Sequence, residues 1–114
     1  MPPDPRNFLP LKPVDLELLL ALDDQELHGY GLVQAIAAHT DGLLQLDPGN
    51  LYRVIKRLLA DGLIGESEQN GGEAGRKYYR LTPLGGRVLA RELDRLRQLV
   101  SAPATRQSIK RWTT

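Results

Sequence analysis

The stretch Leu46-Asp47-Pro48-Gly49-Asn50-Leu51-Tyr52-Arg53-Val54-Ile55-Lys56-Arg57-Leu58-Leu59-Ala60-Asp61-Gly62 decides how the rest of the chain is read. Its opening Asp-Pro is a helix start. The carboxylate accepts from the unpaired N–H groups of the first turn, and proline loses nothing at a position whose N–H has no partner. Gly62 is a helix stop, since glycine takes the left-handed conformation at low cost. In between, Leu51, Ile55, Leu58 and Leu59 share one side of a helix over 48–61, while Asn50, Arg53, Lys56 and Arg57 share another. One side is built for a core, and the other offers forked donors and a point charge.

Upstream, Pro13 suits the first turn of a helix over 14–24, with Asp15 and Glu17 at its positive end. Leu16, Leu19 and Leu20 follow a helical spacing there, and Leu18 and Leu22 widen the apolar face until it suggests burial on two sides. A second helix over 30–39 carries Tyr30, Val33, Ile36 and Ala37 as its inward stripe and ends at Asp41-Gly42. Before all of these, residues 1–13 hold five prolines and read as an extended or mobile arm.

Downstream, the period changes from helical to alternating. Strands are predicted over 63–68 and 76–81, joined by the polar, glycine-rich tip 69–75. Arg76, Lys77 and Arg80 cluster at and after the tip, and at least one of Tyr78 and Tyr79 belongs to the core. Thr82-Pro83 opens a last helix, in which Leu89, Leu93, Leu96 and Val100 form a short heptad-like stripe. Gly85 and Gly86 weaken its first turn, and Pro103 ends it. The fold class is therefore mainly α with a β-hairpin, a winged helix-turn-helix plus a C-terminal dimerisation helix. The expected organisation is an arm over 1–13, a DNA-binding domain over 14–82, a dimerisation helix over 83–101 and a flexible tail over 102–114.

A helix of this kind fits the DNA major groove. Arginine can fork onto guanine, asparagine onto adenine, and lysine neutralises phosphate. Asn50 and Arg53 lie nearest the N-terminus, the end that reaches deepest. Charge points the same way: residues 1–49 sum to −6 and residues 50–114 to +7, within a net charge of +1. Each signal alone would also suit an ordinary solvated face.

Four segments in order resemble the PadR-type regulators. They are Leu27-His28-Gly29-Tyr30, then Leu46 through Tyr52, then Leu58 with Asp61-Gly62-Leu63-Ile64, then Gly75-Arg76-Lys77-Tyr78-Tyr79-Arg80-Leu81-Thr82 followed by Gly86. The resemblance covers about residues 14–100. It implies a dimeric winged-helix regulator, mostly a repressor in that family, on a palindromic operator. It also implies that Tyr52 touches backbone phosphate and that Arg76 and Lys77 serve the wing. The chain departs from the family in having Asn50 where threonine or serine is usual, which bears on the operator. Its single short helix after the wing matches the small subfamily.

The resemblance favours a twin as the cover for the stripe, giving a homodimer interface of Leu16, Leu19, Leu20, Leu89, Leu93, Leu96 and Val100. Packing within one chain is the other possibility. The partners expected are double-stranded DNA and a second copy, with no cofactor, no metal and no membrane. Small family members sense planar drugs through aromatic side chains at the dimer centre. This chain has no aromatic residue on the last helix before the tail, so a small-molecule effector is left open.

Other functions find little support. The 114 residues contain no cysteine, which excludes a disulfide scaffold, a thiolate zinc site and a cysteine nucleophile. His28 and His39 stand without a metal-ligand cluster, and His28 reads as a structural hydrogen-bonding residue. No serine lies in a nucleophile elbow and no glycine pair forms a phosphate loop, so no enzyme is expected. No apolar run approaches a membrane span, and Met1-Pro2-Pro3-Asp4-Pro5 does not look like a secretory signal, so a cytoplasmic chain is expected. The rival reading is a winged-helix module for protein contact without DNA binding.

Overall fold

The computed structural model of the chain describes residues 3–68 and 76–113. The tip 69–75 lies outside the described residues. A 3-10 helix, Pro5–Phe8, precedes α1 (Pro13–Ala21), β1 (Leu27–His28), α2 (Gly29–His39), α3 (Pro48–Ala60), β2 (Ile64–Glu66), β3 (Tyr78–Leu81), α4 (Pro83–Ser101) and α5 (Pro103–Trp112). This is a winged helix-turn-helix.

The helix starts follow the sequence. Asp47 caps α3 by accepting the Asn50 N–H at 2.8 Å. Thr82 caps α4 by accepting the Gly85 N–H at 3.0 Å. His28 caps α2, its Nδ1 accepting the Gly31 N–H at 3.1 Å, which is the structural role expected of it. At the end of α3, Gly62 sits at φ 75° and the Leu63 N–H returns to the Leu58 carbonyl at 3.0 Å.

The wing is a three-stranded antiparallel sheet in the order β1-β3-β2. β1 is the strand not predicted; it pairs Leu27 with Tyr79 and His28 with Tyr78. On the other edge, Ile64, Gly65 and Glu66 face Leu81, Arg80 and Tyr79. Tyr79 is the core tyrosine of the pair. Gly85, expected only to weaken α4, has a positive reason to be glycine. A Cβ there would meet the Leu63 carbonyl oxygen at 1.9 Å, so only a bare Cα lets α4 lie against the wing.

Leu18, Leu19 and Leu22 of the α1 segment meet Leu32 and Ile36, Leu51, Ile55 and Leu58, and Val88 and Leu89 in one core. On α2 the inward positions are Leu32 and Ile36, not Tyr30, which is 68% exposed. Leu19 and Leu89 are buried inside the single chain, which removes both from the expected dimer surface. The apolar face of α1 is divided, with Leu18 and Leu19 in the core and Leu16 and Leu20 left partly exposed at its edge.

The two ends also differ from expectation. The arm packs rather than roams: Phe8, Leu9 and Leu11 lie against the core, and the Leu11 N–H donates to Glu92 Oε2 at 2.7 Å. Residues 103–112 form α5 where a flexible tail was expected. Pro103 both stops α4 and occupies the first position of the next helix. No residue of α5 is buried.

Candidate nucleic-acid interface

α3 is held from beneath and left open above. Leu51, Ile55 and Leu58 anchor it to the core. Arg57 adds a second anchor. Its two terminal nitrogens each donate to an oxygen of Asp15 on α1, both at 2.8 Å. The Asp15 side chain is only 6% exposed, against 42% for Arg57. Arg57, expected among the DNA contacts, is thus the partner of a buried carboxylate, with part of its side chain still exposed. The hydrogen-bonded Asp15 carboxylate raises the Arg57 pKa above its ordinary value, so the guanidinium stays charged.

Asn50, Tyr52, Arg53 and Lys56 remain on the exposed side. They are ordered by one another. The Asn50 side-chain amide donates to Asp47 Oδ2 at 2.9 Å, and Arg53 Nη2 donates to Asn50 Oδ1 at 2.6 Å. The Lys56 ammonium sits 5.5 Å from the centre of the Tyr52 ring, within range of a cation–π contact. Among the described residues, neither Arg53 nor Lys56 enters an ion pair, so both charges face solvent uncompensated.

Beside this face, an open apolar recess of about 440 Å³ separates the N-terminal halves of α2 and α3. Tyr30 and Tyr52 stand on its rim, 68% and 59% exposed, and Tyr79 lines it. Exposed phenols carry hydroxyl donors suited to phosphate oxygens. The sequence signal that missed Tyr30 is its helical phase, which assigned it to the core.

On the wing, Lys77 is exposed and lies 3.4 Å from Glu66 across the strand pair. Arg76 is exposed at the edge of the undescribed tip. Arg80 folds back over Gly65, its Nε donating to the Glu66 carbonyl at 3.1 Å. α3 and the base of the wing are joined through Tyr79, so the two basic elements share one core.

The second half of α4 is different. All its buried residues, Gly85, Val88, Leu89 and Glu92, lie in the first half. Beyond them, Leu93, Leu99 and Val100 are exposed and Leu96 is half-buried. Ile109 and Trp112 on α5 are exposed too. Leu16 and Leu20 are partly buried against the core. Among the described residues, no group of His, Asp and Glu side chains is placed to hold a metal, and no helix is long and apolar enough to cross a membrane.

Known proteins share this arrangement. Residues 18–91 match the model of the Transcriptional regulator PadR-like family. The Mycobacterium tuberculosis transcriptional regulator Rv3488 is 34% identical over 86 residues, which make up 75% of this chain and 78% of that protein. A PadR family transcriptional regulator from Eggerthella lenta superposes with a TM-score of 0.59 at 33% identity, over 83% of this chain and 77% of that one. Bacillus subtilis PadR, solved in complex with operator DNA, superposes with a TM-score of 0.62 at 24% identity, over 74% of this chain and 48% of that one.

Proposed function

The chain belongs to the PadR-like family of transcriptional regulators, which are not enzymes, and on that premise we propose that it is a sequence-specific DNA-binding repressor acting as a homodimer on a palindromic operator. The observation that carries this reading is the open face of α3. Asn50, Arg53 and Lys56 are exposed and ordered on a helix whose other side is locked to the core. A helix held in this way enters the major groove as a rigid reader. Lys56, Lys77, Arg76 and the phenols of Tyr52 and Tyr30 supply the backbone contacts that set register without reading sequence. Leu93, Leu96 and Val100, together with the partly exposed Leu16 and Leu20, form the surface for the second copy. Two-fold symmetry then sets two α3 helices about 34 Å apart, one turn of DNA.

The test is binding to the chain's own promoter DNA, followed by fluorescence anisotropy across salt concentration. Affinity should fall steeply with salt, because each neutralised phosphate releases counterions. Lys77→Ala should weaken all sequences alike and lower the salt slope by about two, one phosphate contact for each subunit. A purified dimer that shifts no DNA at low salt would favour a winged-helix module for protein contact instead.

A further inference from the structure

The polar chain along the first turn of α3 has a direction, and the direction has a consequence. A carboxylate only accepts hydrogen bonds and a guanidinium only donates them. Asn50 lies between the two. Its NH2 must face Asp47, at 2.9 Å, and its carbonyl must face Arg53, at 2.6 Å. The amide is thereby oriented from both ends, with no freedom to flip. Asp47 is itself fixed, because its other oxygen accepts the Asn50 backbone N–H at 2.8 Å.

We propose that Asp47 is a positioning residue for base recognition. Acting through Asn50, it holds the Arg53 guanidinium in the pose that reads guanine, and Asn50 is consumed in this relay instead of reading adenine. The inference rests on the DNA-binding reading above and deepens it. One Arg53 terminal nitrogen is bound to Asn50. The rest of the guanidinium stays exposed, and two of its N–H groups are enough to fork onto guanine O6 and N7. Holding the arginine beforehand removes part of the rotamer freedom it would otherwise lose on binding.

The relay predicts a result that helix capping alone does not. Asparagine caps a helix as well as aspartate. Yet Asp47→Asn replaces one acceptor oxygen with a donor. The Asn50 amide then turns its carbonyl to residue 47 and its NH2 to Arg53, so donor faces donor and the arginine is released. Asp47→Ser keeps the cap and removes the second acceptor.

The experiment uses the full chain and its selected operator. Each half-site guanine is replaced in turn by 7-deazaguanine, which deletes the N7 acceptor but still pairs with cytosine. Wild type should lose about tenfold in affinity at one guanine. Arg53→Ala should erase that loss. Asp47→Asn and Asp47→Ser should cut it to about threefold or less at an unchanged melting temperature, and Asn50→Ala should act at the same guanine. The inference is overturned if Asp47→Asn keeps the full tenfold loss. It is equally overturned if Asn50→Ala relaxes an A·T position while the guanine loss stays intact. Failure of the DNA-binding reading itself would look different, because wild type would then show no sequence preference at any position.

Discussion

α3 and the second half of α4 are both amphipathic helices with leucines on one side and charges on the other, yet their apolar sides meet different fates. On α3 the leucines are covered by the chain's own core, and an ion pair from Arg57 to the buried Asp15 carboxylate fixes the helix further. On α4 beyond Glu92 no residue is buried, and Leu93, Leu99 and Val100 are 40%, 51% and 54% exposed. The chain as a whole is drawn out accordingly, with a radius of gyration of 16.0 Å, against about 13 Å for a compact domain of this length. Amphipathicity alone therefore does not say which surface a helix completes. α3 is finished within one chain and free to use its polar side, whereas the apolar side at the end of α4 is left exposed, the surface that the proposed second copy covers.

The sharpest way to break this contrast is Leu93→Asp together with Val100→Asp. Both residues are exposed in the single chain, so the helix content seen by circular dichroism should persist. Light scattering should report a monomer. Operator affinity should fall by about a hundredfold or more, since two half-sites are no longer engaged together. A double variant that stays dimeric would place the interface elsewhere.

Next in size is Arg57→Ala, which strands the Asp15 carboxylate in the core. The expected cost is about 2–3 kcal/mol, below that of a fully buried pair because the outer edge of Arg57 meets solvent. This should appear in thermal unfolding as a drop of roughly 10 °C. Replacing both partners, Asp15→Leu with Arg57→Met, should recover much of that loss. The double variant should also bind DNA with the wild-type salt slope. A slope lower by about two would mean that Arg57 touches phosphate in each subunit.

The smallest effect concerns the arm. Glu92 is buried on α4. The Arg95 guanidinium, and less strongly the Leu11 N–H, hold its carboxyl below the ordinary value of 4.5, against the opposite pull of burial. A carboxyl whose folded pKa is depressed gives stability that is present above its unfolded pKa and is lost as pH falls through the folded value. Glu92→Gln should therefore cost about 1–2 kcal/mol near neutral pH and flatten the loss of stability expected of wild type on acidification below about pH 4.5. Urea titrations at several pH values would show it.

Most of the fold was legible because its signals are local. Asp47-Pro48, Thr82-Pro83 and Gly62 mark helix ends through backbone chemistry within a few residues, and the change of period marks the wing. Several misreadings share one cause: a partner far away in the chain. Helical phase put Arg57 beside Arg53 and Lys56, but its carboxylate lies 42 residues upstream on α1. The spacing of Leu89 and Leu93 made one stripe, and only the packed core shows that the first turns inward and the second does not. β1 is two residues long, too short for an alternating pattern, and exists because β3 lies beside it. The candidate site was legible as a set of residue types. Its internal order was half visible, since Asp47, Asn50 and Arg53 already stand at intervals of three, but donor and acceptor directions needed coordinates.

The most direct test is selection of bound sequences from a random DNA pool by the purified chain. A dimer presenting two rigid α3 helices should enrich an inverted repeat, its half-sites one helical turn apart and each with a guanine whose preference vanishes in Arg53→Ala. No enrichment, or a single half-site with no symmetric mate, would contradict the pairing of a finished reading helix with an interface that needs a second copy.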